Sequence, residues 1–168
     1  MRTFILSALL ILPSFAQQQS DFYEHEIIPL PEGQIMEISS IALMPDDKVA
    51  VATRRGDLWI CSGAYGDDLS KVTWEKFAHG LHEPIGMYYR DGSFFLTQRP
   101  ELSRIEDMDG DGIADMFETI NSDWGINGDY HEYAFGTDPD KNGDVWVTLC
   151  LTGSFNAKSD WRGWALRI

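Results

Sequence analysis

The chain repeats itself, and the repeat limits the folds open to it. The stretch "ISSIALMPDDKVAVATRRGDLWIC" at 38–61 shares its layout with "EPIGMYYRDGSFFLTQRPELSRIED" at 83–107. "EYAFGTDPDKNGDVWVTLCLTGS" at 132–154 repeats the first two-thirds of that layout, and "RGWALRI" at 162–168 supplies the next strand. Aligning Thr53, Thr97 and Thr148 gives spacings of 44 and 51 residues. Each unit opens with a short apolar strand and a turn rich in Asp and Gly ("PDD", "RDG", "PDKNG"). A second strand follows ("KVAVAT", "SFFLTQ", "DVWVTL"), then a third ("DLWIC", "LSRIE", "GWALRI"). In the first two units "VTWEKFA" and "ADMFETI" add a fourth. Short β segments punctuated by turn chemistry at this period predict an all-β fold of β-propeller blades, each of four antiparallel strands. The boundaries are a leader at 1–16, an N-terminal segment at 17–35, and blades at about 36–80, 81–128 and 129–168. About two and a half blades are present, and a propeller ring needs at least four. The expectation is therefore the N-terminal part of a longer ring. A small β-sandwich suits the length but gives no reason for the repeat.

The leader sets the compartment. Arg2, the apolar run "FILSALLIL", and Ser14 and Ala16 before the cut form a secretory signal peptide too short to span a membrane. No later segment is apolar enough to cross a bilayer, so the expected location is periplasmic or extracellular. Without the leader the chain carries 12 Lys and Arg against 27 Asp and Glu, a net charge of −15. Such a balance argues against nucleic acid or an anionic membrane surface as partner. It leaves cations and neutral sugars open. Cys61 and Cys150 fall in apolar strands of different blades, which predicts two small buried thiols rather than a bridge. There is no CxxCH, so no c-type haem is attached by this chain.

Two groups of residues carry chemistry. In "DMDGDGIADMFE" Asp107, Asp109 and Asp111 alternate and Gly112 allows a sharp turn. Ile113 offers its carbonyl, Asp115 follows at the ninth position, and Glu118 closes a twelve-residue frame. This is the ligand spacing of a calcium loop. Flanking strands replace the helices of a calcium sensor, so the expected ion is structural and pins a hairpin. The second group sits on loops predicted to share the opposite face. It comprises His82 and Glu83 in "GLHEP", His131 and Glu132 in "DYHEY", Arg54 and Arg55 in "TRRG", and Arg99 in "TQRP". A histidine beside a carboxylate is a candidate general base, and arginines hold anionic ligands; paired with the glutamates, they would instead knit neighbouring blades.

"GLHEPIGM", "TQRPELSRIEDMDGDGIADMFETI", "GINGDYHEYAFG" and "VTLCLTGSF" resemble the N-terminal propeller of large exported bacterial proteins described as membrane-bound dehydrogenases. That group is similar to the soluble quinoprotein glucose/sorbosone dehydrogenases, whose fold is a six-bladed propeller. The resemblance implies oxidation of a sugar or polyol, with electrons passing to a quinone or to a cytochrome c domain or partner. It implies His131 as catalytic base, pyrroloquinoline quinone as cofactor, and Arg54, Arg55, Arg99, His82, Glu83 and Glu132 as cofactor or substrate contacts. The quinoprotein pattern is similar to HNGGxLxF; here His131 stands four residues before Phe135, without the glycine pair. The other reading is a non-catalytic propeller that binds carbohydrate or protein and positions attached domains.

Overall fold

Eleven strands form three antiparallel sheets in a computed structural model that describes residues 18–151 and 160–168. The leader and the "TGSF" part of the third repeat lie outside the described residues. The first sheet joins β1 (Ile38–Leu43), β2 (Val49–Thr53), β3 (Leu58–Ser62) and β4 (Thr73–Ala78) in chain order. The second joins β5 (Met87–Arg90), β6 (Ser93–Thr97), β7 (Leu102–Glu106) and β8 (Met116–Asn121). The third pairs β9 (Ala134–Pro139) with β10 (Val145–Leu149), and β10 with β11 (Ala165–Arg167). Every repeat read in the sequence is one sheet, and all pairs are antiparallel neighbours in sequence. Among the described residues helix is confined to single 3-10 turns at Gln19–Asp21 and Leu69–Lys71. Among the described residues no helix is long and apolar enough to cross a membrane.

Alternation along the strands decides which faces meet. Ala50 and Ala52 of β2 are fully buried and lie in one core with Ala42, Leu58, Ile60 and Phe77 from the first sheet. Met87, Phe94, Leu96 and Ile105 of the second sheet close that core. Across the two sheets Phe77 of β4 meets Phe94 of β6 edge-on at 5.0 Å. A second core joins the far side of the second sheet to the third through Leu102, Trp124, Ala134, Val145, Val147 and Leu149. The three sheets therefore stack in sequence, each interior sheet face covered by its neighbour in the chain. Removing this much apolar surface from water, at about 25 cal/mol per Å², is the main force holding the sheets together.

The second and third sheets touch most closely at their inner strands. A Cβ on Gly86 would collide with the Gly136 carbonyl and the Thr137 hydroxyl, so only glycine fits there. Beside it the Thr97 N–H donates to Thr137 Oγ1 at 3.2 Å, and the two threonine hydroxyls lie 2.7 Å apart. At the other end of the strands the 107–115 loop reaches back to the first sheet, where the Ala114 N–H donates to the Phe77 carbonyl at 2.7 Å. The N-terminal segment crosses the outer side of the first sheet, anchored by Trp74 Nε1 donating to the Pro29 carbonyl at 2.8 Å. Cys61 and Cys150 are free thiols; Cys61 is buried, which pushes its thiol up, whereas Cys150 falls just past the end of β10 and is only half-buried, not buried as expected.

Candidate functional site

Antiparallel strands place the β2–β3 turn, the entry to β5 and the β6–β7 turn on one edge, and charged side chains link all three. Glu83 accepts from Arg99 Nη1 at 2.7 Å and from Arg54 Nη1 at 2.9 Å, so one carboxylate ties the first sheet to the second. Arg54 donates its other nitrogen to Glu37, which also accepts from Arg55 Nε at 3.2 Å. Arg99 is nearly buried; its Nη2 donates to the Asp129 carbonyl at 2.5 Å and its guanidinium lies 5.0 Å from the Tyr133 ring centroid. Arg99 thereby reaches the third repeat. Burial pushes the Glu83 carboxyl up, but hydrogen bonds and charge from Arg99 and Arg54 outweigh it and hold the group below the usual carboxylate range. The Arg55 hydrogen bond, with that of Arg54, does the same for Glu37.

Glu83 occupies this position at a conformational cost. Its φ is +47°, a left-handed conformation that places Cβ against the following carbonyl, and Pro84 comes next. The two arginines hold the carboxylate across the gap despite that backbone. His82, in contrast, contributes main chain: its N–H donates to Gln98 Oε1 at 2.5 Å and its carbonyl accepts from the Arg99 N–H at 3.1 Å. The His82 residue itself is exposed.

His131 and Glu132 diverge. Glu132 is fully buried, accepting the N–H groups of Asn127 at 2.7 Å and Gly128 at 3.2 Å, with Arg162 Nε 3.9 Å from its other oxygen. It closes the 127–132 loop from beneath. His131 takes a different carboxylate as neighbour: its Nδ1 is buried and lies 3.7 Å from Asp129 Oδ1, while its side chain is 37% exposed. The Asp129 carboxylate is fixed in turn by the His131 backbone N–H at 2.9 Å. Of the residues singled out in the sequence, Arg54, Glu83, Arg99 and His131 thus gather on one edge, Arg55 stands beside them on Glu37, and Glu132 points inward. Glu37, Asp129 and Tyr133 belong to the site and carry no motif of their own. The Asx turn in "NGD", where Asn127 Oδ1 accepts the Asp129 N–H at 3.2 Å, was the one local sign available for Asp129.

The aspartate loop joins β7 to β8 on the opposite edge. Carboxylate oxygens of Asp107, Asp109 and Asp115 lie within 4.8 Å of one another, close enough to share one cation. Asp107 also accepts the N–H groups of Gly110 at 2.7 Å and Gly112 at 2.9 Å, and the Gly112 bond leads in holding its carboxyl low. Asp111 turns to the Ile113 N–H at 2.8 Å and stands apart from the three. Glu118 lies on β8 opposite Arg104, 3.7 Å from its Nη1, a strand partner rather than part of the cluster. No protein-family model matches the chain, and no curated protein matches it significantly.

Proposed function

We propose that the three sheets are consecutive blades of a six-bladed β-propeller and that the edge built on Arg54, Glu83, Arg99, Asp129 and His131 is its ligand-binding mouth. Two features support the ring: sheets consecutive in the chain share a core, and Gly86 against Gly136 brings the second and third into close contact. The proposed activity is oxidation of a neutral sugar or polyol, with the electrons leaving to a quinone or to a cytochrome c partner. The observation that carries it is His131, whose Nδ1 is turned inward beside a carboxylate while over a third of its side chain faces solvent. Its Nε2 is then the atom available to take the proton of a substrate hydroxyl.

The charge balance favours a neutral ligand. Arg54 and Arg99 share Glu83, Arg54 and Arg55 share Glu37, and Arg99 also donates to the Asp129 carbonyl, so the hydrogen bonds leave Arg54 and Arg99 committed. Pyrroloquinoline quinone carries three carboxylates and calls for unpaired cations. The described residues of this edge do not fit it. The aspartate loop is proposed as a structural calcium site on Asp107, Asp109 and Asp115, stiffening the hairpin that reaches Phe77.

The test is turnover of glucose, sorbitol and related polyols with an artificial electron acceptor, comparing wild type with His131→Ala at matched folded fraction. Loss of turnover in the variant supports the oxidoreductase. Absence of turnover in both, with sugar binding retained, supports the second reading, a binding propeller that positions attached domains. The arginine pairing favours that second reading, because Glu83 joins two sheets in the manner of a scaffold.

A further inference from the structure

The acid–base reading leaves open which nitrogen of His131 carries the hydrogen, and the surroundings of Nδ1 decide it. That atom is buried and has no hydrogen-bond partner; the facing charged group is the Asp129 carboxylate, its Oδ1 3.7 Å away. A bare lone pair at Nδ1 would point at that negative oxygen and be repelled. An N–H at Nδ1 would be attracted, and with Nδ1 itself buried and Asp129 11% exposed, solvent screens the difference only in part. The carboxylate cannot swing away easily. It is 11% exposed, its Oδ1 takes the His131 backbone N–H at 2.9 Å, and the Asp129 carbonyl is held by Arg99 at 2.5 Å. On the outer side Tyr130 packs against the imidazole at 3.7 Å between centroids and limits its rotation.

We propose that Asp129 is a positioning residue that holds His131 in the Nδ1–H form, leaving the Nε2 lone pair directed outward to accept a proton. The sequence pair His131–Glu132 does not do this, since Glu132 is spent on the loop beneath. The inference deepens the proposed oxidoreductase reading and rests on it for its functional meaning, but the tautomer can be measured without any substrate. A carboxylate facing Nδ1 reverses the preference of an unconstrained imidazole, which favours hydrogen at Nε2.

The experiment is long-range ¹⁵N–¹H NMR of the histidine rings in the full chain at pH about 8.5, some two units above the ordinary histidine pKa of about 6.5. His131 is assigned by its disappearance in His131→Ala. Wild type is expected to show His131 mainly as Nδ1–H. Asp129→Asn keeps an oxygen for the His131 backbone N–H while removing the charge, and is expected to shift the population toward Nε2–H. A wild-type spectrum dominated by Nε2–H overturns the proposal with no variant needed, and so does a folded Asp129→Asn whose tautomer is unchanged. If the tautomer is as proposed but His131→Ala retains turnover, the oxidoreductase reading fails and the positioning of His131 stands. If His131→Ala abolishes turnover and the tautomer is Nε2–H, the failure belongs to Asp129 alone.

Discussion

Replacing Glu83 by alanine removes the carboxylate shared by Arg54 and Arg99, and the loss follows from how each arginine is left. Arg99 is 13% exposed and keeps only the Asp129 carbonyl and the Tyr133 face, with its Nε already unpartnered. A charge-assisted hydrogen bond of this kind contributes about 1.5–3 kcal/mol, and leaving one partner of a fully buried pair costs about 3–5 kcal/mol. Partial exposure puts Glu83→Ala at about 2–3 kcal/mol of lost stability. Arg54 is half exposed and its loss adds little. Glu83→Gly removes the same contacts but releases the +47° backbone, a relief of about 1–2 kcal/mol offset by about 0.5–1 kcal/mol of extra chain entropy in the unfolded state. It should therefore be more stable than the alanine variant by up to about 1.5 kcal/mol.

Urea unfolding at pH 7 measures both substitutions. The pH dependence supplies a control with a definite sign. The folded-state pKa of Glu83 lies below its ordinary value of 4.5, so its contribution is present above that value and disappears as pH falls through the folded pKa. The gap between wild type and Glu83→Gln should accordingly close below pH 4.5. A Glu83→Ala protein within about 0.5 kcal/mol of wild type, the spread of an ordinary surface change, would refute the reasoning. A glycine variant less stable than the alanine variant would refute the backbone half of it.

Gly86→Ala drives a methyl into the Gly136 main chain and the Thr137 hydroxyl, where backbone cannot give way, and should cost about 3 kcal/mol or more in a thermal melt. Phe94→Ala empties a site 1% exposed between Phe77 and Tyr89 and should lose about 3–5 kcal/mol by urea unfolding. Calcium at a hundred times its dissociation constant should stabilise wild type by about 2.7 kcal/mol. Asp107→Ala should abolish that gain and Glu118→Ala should retain it, read by calorimetry and by melting temperature.

The sheets were legible because their signals are local. Turn residues such as Asp91–Gly92, both at positive φ, and alternation in "VAVAT" fix where strands begin and which side chains share a face. The edge carrying the site followed from strand count alone. Partner choice did not follow, because it depends on side-chain direction across tens of residues. Glu37 lies 17 residues from Arg54 and stands just before β1 with nothing to mark it. Glu132 reads as the neighbour of His131, yet the N–H groups of Asn127 and Gly128 draw its carboxylate inward, and the Asp129–Glu132 turn brings Asp129 to the imidazole instead. In the aspartate loop the spacing named six ligands, while the strand geometry of β8 sends Glu118 to Arg104 and leaves Asp107, Asp109 and Asp115 together.

The central claim, a mouth for a neutral polyhydroxyl ligand at His131, is tested most directly by following the ring resonances of the four histidines while the full chain is titrated with glucose and with sorbitol. Saturable shifts are expected at His131, smaller ones at His82 on the same edge, none at His25 or His79, and no saturable shift at the remaining rings in His131→Ala. Resonances that stay fixed with both sugars, or shifts at all four histidines alike, would contradict it.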